Sequence, residues 1–210
     1  MKKYTMLSFA LMLVAAIALS GCAVETQQNA AGTPSAQGTQ AAASTAYDPN
    51  GEKSLRNFTA TDLEGNTVTQ DIFKEHQMTM VNVWATYCPT CMEELADLAK
   101  LYAENADRNI NIVGIVYDAK KSDGSIDEKQ VALAKEIVEQ TGATYTQLLP
   151  SPDLQEAVLG DVTTVPHTFF VDHIGMMIDE PLEGTKDMDN WQEIMDKTYR
   201  VYYGGCHVKE

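Results

Sequence analysis

From about residue 52 onward, two kinds of hydrophobic spacing alternate along the chain. Unbroken apolar runs at Thr79–Ala85 and Ile110–Tyr117 predict strands covered on both faces. After the first run, Leu95, Leu98, Ala99 and Tyr102 recur at three- and four-residue spacing, which predicts a helix from Pro89 to about Asp107. Val131, Leu133, Ala134, Ile137 and Val138 predict a second helix over Ser125–Gln140, with Gly142 placed as a helix-ending glycine. Shorter signals predict a strand at Tyr145–Leu149 and a helix at Asp153–Leu159. Val165–Asp172 reads as a strand with proline at its start. Met176–Asp179 follows a turn at Gly175, so these two strands should pair antiparallel. Met188 to about Tyr202 closes the pattern as a helix. Near the front, Phe58–Leu63 and Thr67–Thr69 flank Glu64-Gly65-Asn66, a hairpin signal. Strands alternating with helices and ending in a hairpin indicate an α/β sheet with helices on both faces. There is no internal repeat.

The first fifty residues carry no such pattern. Lys2 and Lys3 precede an apolar stretch from Tyr4 to Leu19, and small residues follow, so residues 1–21 read as an export signal. The stretch is short for a spanning helix, which needs about 20 apolar residues. Leu19-Ser20-Gly21-Cys22 resembles the lipobox of bacterial lipoproteins, which implies lipid on the Cys22 thiol and cleavage before it. An ordinary secretory signal is the alternative. Residues 22–50 are Ala, Gln, Thr, Ser and Gly with almost no large apolar side chain, the composition of a disordered tether. Such a tether would span roughly 30 Å on average. Residues 51–210 then suit one folded domain.

Charge narrows the partners. The formal net charge is −15, and loss of the leader with Lys2 and Lys3 would leave the chain more acidic. This argues against a nucleic-acid partner, whose affinity rests on Lys and Arg contacts to phosphate. It argues equally against electrostatic adhesion to anionic lipid, leaving acyl chains as the membrane anchor.

Cys88-Pro89-Thr90-Cys91 lies between the first predicted strand and the first helix. A strand delivers the first sulfur to the surface, and the helix points its partial positive end at it. Disulfide exchange needs a thiolate attacker, an accessible sulfur and a resolving thiol nearby. Cys88, at the helix start, is the expected attacker, and Cys91, one turn on, the expected resolver. Pro89 suits the first helical turn, where its missing N–H is no loss. Half of a zinc site is the competing reading of the pair. It needs two more ligands, and only Cys206 and four scattered histidines remain in the folded part. Cys206, beside His207, reads as a solvent-facing tail thiol, with a second disulfide to a partner or a metal contact as alternatives.

With these elements placed, the chain resembles the thioredoxin superfamily, and within it the membrane-anchored TlpA/ResA-like thiol–disulfide oxidoreductases. Val83-Trp84-Ala85-Thr86-Tyr87-Cys88-Pro89-Thr90-Cys91, Val165-Pro166 and Thr168-Phe169-Phe170-Val171-Asp172 carry the likeness, with Phe58–Gly65 in support. It spans roughly residues 55–203. It implies a thioredoxin-like fold: a central mixed sheet with helices on both faces, an N-terminal β-hairpin, and an inserted helix around 125–140. Pro166 would be the family's cis-proline facing the cysteines, leaving the Val165 backbone free to bond an extended substrate. Glu94, one helical turn beyond Cys91, matches an acidic residue that tunes the cysteines in the ResA-like branch. A buried carboxylate there could accept the Cys91 proton. A solvated helix residue is the alternative. Asn82 stands where thioredoxin has a buried aspartate. Cys88, Cys91, Glu94 and Pro166 are therefore the candidate catalytic residues, and Trp84, Pro89, Thr90 and Val165 the candidate substrate contacts. Trp84 reads equally well as a core aromatic. His167 could add a titrating donor near the site or be a surface histidine.

The resemblance implies an enzyme that exchanges disulfides with protein substrates on the extracytoplasmic face of the bacterial cytoplasmic membrane, held there by its lipid. No cofactor is expected beyond the Cys88–Cys91 disulfide. The reducing direction is expected, with a CcdA-like membrane protein as electron donor. Val165, where reducing members commonly have threonine, leaves that direction open. Two alternatives share the fold. A Sco-like copper protein resembles C-x-x-x-C plus a distant His, one residue longer than the spacing here. A peroxiredoxin-like peroxidase has a Thr three residues before its attacking Cys, where this chain has Ala85.

Overall fold

The two unbroken apolar runs form adjacent central strands. The computed structural model describes residues 53–204. The expected leader, Cys22 and its lipid, the tether, and Cys206 with His207 lie outside the described residues. The elements run β1 (Thr59–Thr61), β2 (Thr67–Thr69), β3 (Met78–Trp84), α1 (Pro89–Glu104), β4 (Ile110–Val116), α2 (Glu128–Thr141), β5 (Gln147–Leu148), α3 (Pro152–Ala157), β6 (His167–Asp172), β7 (Leu182–Glu183) and α4 (Met188–Tyr203). The main sheet has the order β5-β4-β3-β6-β7. β3, β4 and β5 are parallel, whereas β6 and β7 are antiparallel to their neighbours, so the sheet is mixed. β1 and β2 form the expected N-terminal hairpin. Its turn is closed by the Asp62 carboxylate, which accepts from the Glu64 and Asn66 amides at 2.9 and 2.8 Å. The hairpin docks on the β5 edge through Leu63 N–H to Gln147 O and Leu149 N–H to Thr61 O.

Strand alternation sends successive side chains to opposite faces. On β3, Met78, Met80 and Trp84 enter one core with Leu95, Leu98, Leu101, Ala134, Ile137, Trp191 and Met195, so α1, α2 and α4 share that face. Val81 and Val83 enter the other with Leu55, Phe58, Phe73, Leu154 and Leu159, so the N-terminal segment and α3 cover the opposite face. Both faces are covered, but all three long helices lie on one.

Three boundaries differ from the periodicity reading. The helix expected from Ser125 begins at Glu128, because Lys121–Ser125 closes a turn first and the Asp127 side chain caps the Lys129 amide at 3.0 Å. Tyr145–Leu149 contributes only Gln147 and Leu148 to the sheet. Met176–Asp179 does turn back antiparallel on β6, through a single bridge at Val171–Met177. The edge strand proper is Leu182–Glu183, paired with His167 and Thr168. Two residues of edge strand are too few for a period-2 signal.

The register creates one polar row on the α1 face. Asn82 on β3 lies opposite Thr168 on β6 and Gly114 on β4, and Gly114 lies opposite Gln147 on β5. Gly114 has no side chain because Gln147 occupies the space. A Cβ built at Gly114 would sit 1.8 Å from Gln147 Oε1. That oxygen accepts the Trp84 indole N–H at 2.9 Å, and Gln147 Nε2 donates to Ala143 O at 3.2 Å. Gly114→Ala should therefore displace Gln147, orphan the Trp84 indole, and cost about 1–3 kcal/mol in denaturant unfolding. The same change should cost clearly less in a Gln147→Ala background. Equal costs in both would remove Gln147 from the explanation.

Candidate active site

Cys88 is where β3 hands over to α1. It has extended backbone (φ −101, ψ 100) and is the N-cap of α1, its Sγ accepting the Cys91 amide at 3.2 Å. Pro89 follows at the first helical position. The two sulfurs are bonded as a disulfide, with Cα atoms 5.3 Å apart. Cys88 is 7% exposed and Cys91 1%, so an incoming sulfur meets Cys88 first. Thr90 Oγ1 lies 3.5 Å from Cys88 Sγ.

The N-terminal end of antiparallel β6 comes to the same edge of the sheet. The Val165–Pro166 peptide bond is cis. The Val165 carbonyl oxygen lies 3.8 Å from Cys88 Sγ. Pro89 and Thr90 are exposed and Val165 half-buried, so all three border the disulfide. Trp84 does not. It has no exposed surface and its indole N–H is taken by Gln147, so it supports the site from within the core and cannot touch a substrate. Tyr87, immediately before Cys88, is 65% exposed. His167 is half-buried on the face away from α1, alternating with Thr168. Burial pushes its imidazole below the usual range, and its ring meets Phe169 at 6.3 Å.

Glu94 is buried, 1% exposed, while neighbouring Glu93 faces solvent. Glu94 Oε2 accepts from Asn82 Nδ2 at 3.1 Å. Oε1 accepts from the Lys186 amide and from the Trp191 indole, both at 2.9 Å. Burial raises the Glu94 carboxyl above the usual carboxylate range, although these donors and the Lys186 charge oppose that rise. Asn82 Nδ2 also donates to Thr168 Oγ1 at 2.9 Å, while Asn82 Oδ1 has no hydrogen-bond partner among the described residues. Rotating that amide would present Oδ1 to a protonated Glu94, and the Thr168 hydroxyl can donate as well as accept. The network therefore accommodates the carboxyl with or without its proton.

Asp118, just past β4, carries no motif signal in the sequence. Its carboxylate accepts the Thr86 amide at 3.0 Å and the Thr86 hydroxyl at 2.6 Å. Gln130 Nε2 on α2 adds a third donor at 3.3 Å. The inserted helix thus reaches the turn that carries Tyr87 and Cys88. Only its place at the end of a buried strand marked Asp118 in the sequence.

Comparison with known proteins agrees with this geometry. Residues 52–179 match the profile of the AhpC/TSA family. A relative from Allochromatium vinosum, named thiol:disulfide interchange protein DsbE, is 30% identical over 156 residues, covering 73% of this chain and 78% of the relative. ResA, a thiol-disulfide oxidoreductase from Halalkalibacterium halodurans, is 34% identical over 65 residues, 31% of this chain and 36% of its own. A thioredoxin-family thiol:disulfide interchange protein from Chlorobium tepidum superposes with a TM-score of 0.57 at 21% identity, covering 70% of this chain and 96% of that one. A Mycobacterium tuberculosis DsbF structure superposes with 0.53 at 23% identity, covering 69% and 96%. The structural likenesses carry the thioredoxin-like fold. The chain belongs to the AhpC/TSA family. Within it, the Cys88–Cys91 pair and its relatives make it a thiol–disulfide oxidoreductase of the DsbE/ResA type.

Asp118→Ala should free the Thr86 turn. The Thr86 amide is expected to lose hydrogen-exchange protection, with a stability loss of about 1–2 kcal/mol. Undiminished protection would show that the carboxylate does not hold the turn.

Proposed function

We propose that this chain reduces disulfides in protein substrates, outside the cytoplasmic membrane and anchored there by lipid on Cys22. The observation that carries the reading is the meeting of Cys88, the N-cap of α1, with the Val165 carbonyl beside the cis Val165–Pro166 bond, on a helix that also carries a buried Glu94.

In the dithiol form, the helix N-terminus favours the Cys88 thiolate. That thiolate attacks one sulfur of a substrate disulfide. A mixed disulfide forms, and the substrate's other sulfur leaves as a thiolate. An extended substrate segment can lie along the Val165 backbone with Tyr87, Pro89 and Thr90 around it. Cys91 then gives its proton to the Glu94 carboxylate and attacks Cys88 Sγ. The mixed disulfide breaks, the substrate leaves with both sulfurs reduced, and Cys88–Cys91 closes. Two electrons have passed from the dithiol to the substrate. A dithiol of a CcdA-like membrane protein would return them by the reverse exchange. The raised proton affinity of Glu94 suits a base that must take a proton from a thiol and give it up again.

The two alternatives fit the site less well. Among the described residues, no three His, Cys, Asp or Glu side chains gather as a metal set, which a copper carrier would need. For a peroxidase, the place three residues before Cys88 is Ala85, and the nearby Thr86 hydroxyl is engaged by Asp118. Copper titration of the dithiol and hydrogen peroxide turnover test each directly.

The deciding measurement is the equilibrium reduction potential of the couple together with insulin reduction. A potential near thioredoxin's, about −270 mV, is expected, and one near about −120 mV would reverse the direction. Cys88→Ser should abolish turnover. Glu94→Gln should slow it and remove one ionisation from the acidic limb of its pH profile. An unchanged profile would take Glu94 out of the mechanism. The same variant has a signed effect on stability. Glu94 has a folded-state proton affinity above its unfolded one, so its favourable contribution is complete below the ordinary carboxylate range and is lost as pH rises through the raised value. Glu94→Gln, neutral throughout, should therefore gain stability over the parent at neutral pH and not at acid pH, read by unfolding at both.

A further inference from the structure

Glu94 lies on α1, but two of its three hydrogen bonds come from the far end of the chain. The Lys186 amide and the Trp191 indole both meet Oε1. Trp191 is itself wholly buried. It is placed by the start of α4, where the Asp187 side chain caps the Asn190 amide at 2.9 Å. The Lys186 ammonium lies 4.8 Å from the Trp191 ring centroid and donates to the Glu183 and Gly184 carbonyls at 3.2 Å. The β7–α4 turn and the first turn of α4 therefore form one donor cradle, its two donors 92 and 97 residues from the carboxylate they hold.

The indole N–H is a donor only. It bonds the ionised carboxylate oxygen more strongly than either oxygen of the neutral acid, and it cannot accept the acid's proton. A donor of that kind favours the anion, whereas the amide of Asn82, which can present either end, tolerates both forms. We propose that Trp191 is a positioning residue of the redox site: it holds Glu94 as the base and sets the pH at which Glu94 becomes able to take the Cys91 proton. This rests on the proposed role of Glu94 and goes beyond it by assigning control to α4.

The groups that bond or charge Glu94 come from three elements: β3 presents Asn82, the β7–α4 turn presents the Lys186 amide and its ammonium charge, and α4 presents Trp191. Tyr145, before β5, lies near enough that the charge of Glu94 adds to the burial that raises its phenol.

Trp191→Phe keeps an aromatic ring and removes the donor. A hydrogen bond to a charged group corresponds to about one to two pH units. The acidic limb of the turnover profile should therefore move upward by about that much, with the alkaline plateau retained. In a Glu94→Gln background, Trp191→Phe should leave the profile where it is. Loss of rate at every pH with no displacement of the limb would overturn the proposal and leave Trp191 as packing. A profile that Glu94→Gln itself does not alter would instead sink the role of Glu94, a separate failure. A second measurement needs no substitution at Trp191. The chain has two tryptophans, Trp84 bonded to Gln147 and Trp191 bonded to Glu94. In ¹⁵N-indole NMR of the full chain, the Trp191 signal should titrate with the acidic limb, and Trp84 should not. A Trp191 signal flat across that range would overturn the proposal even if Trp191→Phe failed to fold.

Discussion

A carboxylate buried in the main core is the constraint around which this molecule is arranged. Removing an ion from water costs several kcal/mol unless hydrogen bonds replace the lost solvent. Glu94 meets part of that demand with donors from β3, from the β7–α4 turn and from α4, and the remainder shows as its raised proton affinity. Each donor ties its element to α1, and α1 begins at the attacking cysteine. The helix therefore cannot shift on the sheet without unpairing a charge. Placement of Cys88 at the start of α1 and retention of a buried carboxyl one helical turn beyond Cys91 both follow from that interaction.

The rest of the site follows from strand direction. β3 and β4 are parallel, so Cys88 and Asp118 emerge at the same end of the sheet. β6 runs the other way, so its beginning, Val165-Pro166, arrives at that end too. Active sites at the carboxyl ends of parallel strands are a general property of α/β sheets. Here the antiparallel strand adds a backbone carbonyl 3.8 Å from the reactive sulfur. Asp118 holds the short turn between β3 and α1 through the Thr86 amide and hydroxyl. Tyr87 is left as the exposed side chain on that turn.

The polar row Thr168–Asn82–Gly114–Gln147 shows how the sheet serves this arrangement. At one end it offers Asn82 to Glu94, and at the other it seats Gln147 under Trp84. The closeness of Trp84 to Cys88 in sequence suits a substrate contact or a core aromatic alike. It is core because β3 alternation sends it into the core under α1, where Gln147 satisfies its one donor. Gly114 gave no signal beyond being a glycine in an apolar run. Its necessity comes from a side chain on the neighbouring strand, β5. Such cross-strand demands leave no periodic trace in either segment.

What the residues determined by themselves was local. Spacing of two between cysteines, a proline at the next position and apolar residues at helical intervals are all read within a few turns of one element. They were enough to place the redox pair at a helix start, to set Glu94 on nearly the same helical face as Cys91, and to anticipate an α/β sheet. Which of Glu93 and Glu94 is buried, which way Trp84 turns, and what the last helix does were decided only by tertiary structure. Residues 82, 94, 168, 186 and 191 meet through strand register and helix docking. The energy of that meeting belongs to a buried charge and its donors, and no stretch of chain short enough to read as a motif contains them all.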